Sequence, residues 1–85
     1  MTNLNELHQI AVETAEVTRQ LQAKLAAEAT EENPYGSRET YAELKIARKV
    51  YGKAISDFQN EIDAIGVSNV PNLAELYAAI GEVKA

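Results

Sequence analysis

Apolar residues recur at helical spacing in three stretches, and two short breaks separate them. In the first stretch, about residues 4–30, Leu4, Leu7, Ile10, Ala11, Thr14, Val17, Thr18, Leu21, Leu25 and Ala29 fall within an arc of about 140° at 100° per residue. That arc predicts one inward face, with Glu6, Gln9, Glu13, Glu16 and Gln20 on the solvated side. Ala15 and Ala26 edge the stripe with small side chains that allow a helix to approach closely, and Val12 lies outside it as a further contact. Asn3 followed by Glu6 has capping-box spacing and places the helix start there. The second stretch, about residues 38–65, repeats Tyr41, Leu44, Arg48, Tyr51, Ile55, Phe58, Ile62 and Ile65 in a heptad-like, coiled-coil pattern with a cation at its centre. Ala47, Ala54, Ile46 and Val50 widen its apolar arc beyond about 200°, more than one neighbouring helix covers. The third stretch, about residues 72–83, aligns Leu73, Leu76, Tyr77, Ile80 and Val83, with Asn72 and Glu75 again at capping-box spacing.

The breaks set the topology. In the turn at 31–37, Pro34 forces the preceding residue out of helical geometry, Gly36 admits positive φ and Ser37 is a good N-cap. In the turn at 66–71, Gly66 stops the second helix and Pro71 forbids simple continuation. A short connection between long helices predicts antiparallel packing, and the midpoint of the first turn predicts facing residues whose numbers total about 70. On that register Lys53 sits near Glu16 and Lys49 near Gln20. Gly52, inside the second helix, marks the close approach of a further neighbour. The third helix is only ~16 Å long against ~42 Å for the other two, so it covers less than half of the second. The expected fold is therefore all-α: a single domain, 1–85, built as a long antiparallel helical hairpin plus a short C-terminal helix, completed as a multi-helix bundle by self-association. The uncovered apolar surface is shared between chains or offered to a partner.

Composition supports this and narrows the chemistry. With 85 residues and 46% hydrophobic content the chain is too apolar for a disordered tail, yet small enough that its core must be economical. It holds no cysteine, so disulfides, thiolate metal sites and a thiol nucleophile are excluded. No apolar run approaches the ~20 residues of a membrane span, and Met-Thr-Asn-Leu-Asn-Glu at the N-terminus lacks the basic and apolar regions of a signal peptide. The expectation is a soluble, unprocessed, cytoplasmic protein. Charge is banded: residues 1–37 hold six acids and two bases, residues 38–53 two acids and five bases, and residues 54–85 five acids and one base. Net acidity disfavours nucleic acid as a partner.

Little in the chain points to catalysis. His8, the single histidine, has no Cys, Asp or Glu completing a metal set and is expected at the surface; neither a metal nor a cofactor is expected. Ser37 and Ser68 lack an assignable base, and Glu13 with Glu16 lies on an outward face. Five residues from Ile65 to Asn69 resemble a segment of aldo-keto reductases, and Pro34-Tyr35-Gly36 resembles the turn of small secreted hairpin proteins marked by Trp-x-Gly; neither extends further, and no site residue is carried over. The expected activity is that of a non-enzymatic protein–protein interaction module acting stoichiometrically, as an adaptor, assembly factor or inhibitor, such as a phage or mobile-element accessory protein. Its partner-binding candidates are Ile46, Val50, Arg48, Tyr51 and Val12, and its partners are another protein and a second copy of itself. The alternative is a homo-oligomeric binder of a phosphorylated or nucleotide ligand, gripped by Arg38, Lys45, Arg48, Lys49 and Lys53. Against it, that stripe reads as a solvated face with local pairs such as Lys53 and Asp57. Arg48 is either a buried partner fixing register between subunits or a side chain snorkelling past its apolar neighbours. A DNA-mimicking acidic first helix ranks last, because Arg19 and Lys24 interrupt the acids.

Overall fold

The computed structural model describes residues 3–83. Helix α1 spans Leu4–Glu28, α2 spans Arg38–Ile65 and α3 spans Leu73–Ile80, with a 3-10 turn at Val67–Asn69 before α3. The two long helices form an antiparallel hairpin, and α3 returns to pack on α1 at the seam between the pair. The fold is the all-α hairpin with a short C-terminal helix that the periodicity predicts.

Caps explain most of the boundaries. The Asn3 side chain accepts from the Glu6 backbone N–H at 2.9 Å, and Ser37 accepts from Thr40 at 3.4 Å. The first helix ends at Glu28, two residues early, because Thr30 exchanges bonds with Asn33: each backbone N–H donates to the other residue, at 3.0 and 2.9 Å. That local turn competes with helix propagation. Gly36 follows at φ +72°, and a Cβ there would lie 2.7 Å from Leu25, so the hairpin closes only around glycine. The third helix is shorter than expected at both ends. Asn72 makes no side-chain cap bond, and Gly81 at φ +75° breaks the helix after Ile80.

The packed faces are not the ones the apolar stripes predict. The buried line on α1 is Ala11, Ala15 and Thr18, rotated about 50° from the predicted stripe, while Ile10 and Val17 are left exposed. On α2 the buried line is Thr40, Leu44, Ala54, Phe58 and Ile62, and the expected core positions Tyr41, Arg48 and Ile65 are exposed. Small residues at the centre let the helix axes approach, and the larger side chains flank the contact. Thr18 satisfies its buried hydroxyl on its own helix, donating to the Thr14 carbonyl at 2.8 Å.

The register also differs from the expectation. Thr18 Oγ1 lies 3.4 Å from the Ala47 carbonyl, so facing residues total about 65 rather than 70. The cause is the earlier end of α1, which moves the midpoint of the loop back to about residue 33. Lys53 therefore lies near Ile10 rather than Glu16. Gly52 is exposed, and a Cβ added to it would have nothing within 4 Å, so no other element among the described residues approaches it. Gly52→Ala is expected to raise stability by about 1 kcal/mol through helix propensity, read from the urea midpoint. Ala15→Leu, at a fully buried position, is expected to lower it by about 1–3 kcal/mol or more in the same experiment.

Candidate functional site

The uncovered face of the hairpin is a long groove. Ile10, Thr14, Val17 and Leu21 recur at spacings of four and three and so share one side of α1. Opposite them α2 presents Glu43, Ile46, Ala47 and Val50, which with Glu13, Thr14, Val17 and Leu21 line a hollow of about 440 Å³. A second hollow of about 450 Å³, lined by Ile10, Lys49, Val50, Lys53, Ala54 and Asp57, continues it, with Val50 common to both. Within it Ile46 is 65% exposed, Val50 50%, Val17 49% and Ile10 44%. The groove lies about 150° around α1 from His8 and Arg19, the residues that meet α3. It therefore opens on the side that α3 leaves bare.

Charged groups border this apolar floor. Glu13 stands on the α1 side, and Glu43, Lys49, Lys53 and Asp57 stand on the α2 side. Lys53 Nζ and Asp57 Oδ2 are 3.9 Å apart, with the lysine side chain 83% exposed, so the pair contributes little to stability.

Of the residues expected to bind a partner, Ile46 and Val50 lie together in the groove. Tyr51 and Val12 do not join them: both are half-buried against the core. Arg48 is exposed, about 160° around α2 from Val50, and it is neither buried nor beside the other two. The basic candidates are also dispersed. Arg38 lines a separate hollow of about 430 Å³ at the hairpin turn with Asn33, Tyr35 and Tyr41, while Lys49 and Lys53 border the groove. Lys45 is exposed on the outer face of α2 between them. Ile10 and Val17 belong to the groove although their spacing assigns them to the core. Only their position beyond the alanine line, once Ala11 and Ala15 are taken as the contact, distinguishes them in the sequence.

A second set of side chains holds α3 in place, and it includes the histidine expected at the surface. His8 is half-buried, and its Nε2 lies 2.9 Å from the Leu76 carbonyl oxygen; since a carbonyl only accepts, Nε2 carries the proton. Arg19 Nη1 donates to the Ile80 carbonyl at 2.7 Å, placing a positive charge on the free carbonyls at the C-terminus of α3. Its Nη2 donates to Glu16 at 2.9 Å. The hydrogen bond from Arg19, then its charge and the hydrogen bond from Gln20, hold the Glu16 carboxyl below the usual carboxylate range.

Among the described residues, no group of three or more His, Cys, Asp or Glu side chains could hold a metal ion, and no helix is long and apolar enough to cross a membrane. No protein-family model matches the chain, and comparison with curated proteins and with solved structures found no match.

His8→Ala and Arg19→Ala are each expected to cost about 1 kcal/mol and to speed amide hydrogen exchange in α3 more than in α2. Acid should act in the same direction. Because the folded pKa of Glu16 is depressed, its contribution is present above the usual carboxylate pKa and is lost as pH falls through the folded value. Denaturation across that acidic range should show a smaller pH dependence in Glu16→Gln than in the parent.

Proposed function

We propose that this protein acts by stoichiometric binding of another protein along the groove between α1 and α2. The observation that carries the proposal is the row Ile10, Val17, Ile46 and Val50, each exposed by at least 44%, on a face that no other element among the described residues covers. Scattered apolar side chains on a surface are ordinary, but a continuous apolar strip with a charged border has the composition of a protein interface. The strip asks for an apolar counterpart carrying charges at its edges. An adaptor, an assembly factor and an inhibitor would all use such a surface.

The alternative of a phosphorylated or nucleotide ligand is less favoured by the geometry. Arg38 sits at the turn, Lys49 and Lys53 border the groove, and Arg48 lies around the other side of α2, so they do not converge on one anion.

The double substitution Ile46→Glu with Val50→Glu tests the proposal. Both side chains are at least half exposed, so helicity by circular dichroism and the urea midpoint should stay within about 0.5 kcal/mol of the parent. Affinity capture from the native host should lose a protein, copies of the chain itself included, that the parent retains in stoichiometric amount. Identical retention by the two proteins would sink the proposal.

A further inference from the structure

Resting on the groove as a protein-docking surface, we propose that its occupant is a second copy of this chain. The two copies are related by a two-fold axis parallel to the helices, so that α1 of each protomer lies on α2 of its partner. Two observations carry this. The first is shape: the molecule measures 52 × 22 × 15 Å, and its radius of gyration of 15.4 Å exceeds the roughly 12 Å of a compact chain this long. It is a thin layer with a small core: among the described residues, three of the eight buried hydrophobic ones are alanines. A second layer stacked on the groove would turn the hairpin into a four-helix core.

The second observation is charge. Because Thr18 lies level with Ala47, residues of α1 and α2 at one height total about 65. A two-fold axis along the helices leaves every residue at its own height, so each α1 residue meets the partner's α2 residues at that level. Glu13 then faces the partner's Lys49 and the partner's Lys53. Lys24 falls between the partner's Glu39 and the partner's Glu43, and Val17 between the partner's Ile46 and the partner's Val50. An axis across the helices would instead stack α1 on α1 and α2 on α2. That axis reverses height, so centred on the groove, at about residue 50 of α2, it sets Glu43 level with the partner's Asp57, and Lys49 level with the partner's Lys49 and the partner's Lys53, like charge against like. The observed charges favour the first arrangement.

Sedimentation across the micromolar range tests this with four samples. Wild type should dimerise. Glu13→Lys alone, and Lys49→Glu with Lys53→Glu, should each weaken the dimer at least about tenfold, because each places like charges opposite one another twice. An equimolar mixture of those two variants should recover wild-type affinity as a heterodimer, since every α1-to-α2 charge contact is then complementary. All substituted side chains are exposed, so circular dichroism should be unchanged. A dimer whose charge variants are not rescued by mixing overturns the arrangement, and a wild type that stays monomeric overturns the second copy as occupant. In the monomeric case, loss of a host protein by Ile46→Glu with Val50→Glu would leave the docking groove standing, whereas no loss would end both proposals.

Discussion

Three helices meet at Phe58. Its ring is fully buried, with the His8 ring of α1 tilted at 48° against it and the Tyr77 ring of α3 edge-on at 78°, each at a centroid distance of 5.6 Å. Each helix thus contributes one aromatic ring to a single contact, and such pairs favour these offset geometries. Around this contact Ala11 and Ala15 let α1 come close, while Ile62 and Ile80 fill the space beside the ring. The polar clamps of His8 and Arg19 work only because this packing brings the α3 carbonyls to them. Without Phe58, α3, only eight residues long, would have little to dock on and would be too short to persist alone.

That junction also makes the molecule one-sided. All of α3 is used on one side of the hairpin, and it reaches along α1 only between about His8 and Arg19. Among the described residues the other side has no equivalent element, so Ile10, Val17, Ile46 and Val50 are left exposed by this chain. The groove is the remainder left when one short helix serves a two-faced hairpin. A chain this small has a high ratio of surface to volume, so it buries a smaller share of its apolar side chains than a larger domain does. The burial that the hairpin begins is therefore incomplete at Ile46 and Val50, which stay 65% and 50% exposed.

Much of the architecture can be read from residues alone. Asn3 and Ser37 place the starts of α1 and α2, Gly66 places the end of α2, and the heptad-like repeat announces a long helix that needs neighbours on two sides. These signals are local, depending on backbone geometry and on caps a few residues away, so no distant contact is needed to interpret them. Ile46 and Val50 are also legible as surplus apolar surface, because a stripe wider than one partner can cover is visible on a helical wheel.

Which apolar residues face inward was decided by the tertiary structure. Periodicity gives the direction of a stripe, but the helix turns to bring its smallest residues into contact when close approach gains more than burying the largest. Hence Ala15 and Thr18 lie inside while Val17 and Ile10 lie outside, and Arg48 is carried out of the core with Tyr41. The same is true of His8 and Arg19, whose partners lie more than 60 residues away in the chain and are backbone carbonyls that carry no residue identity. Sequence determined the helices, their order and the excess of apolar surface, because each follows from neighbours in the chain. Only the packed structure decided the rotation, the register and the bare face, because those depend on how three helices share one small core.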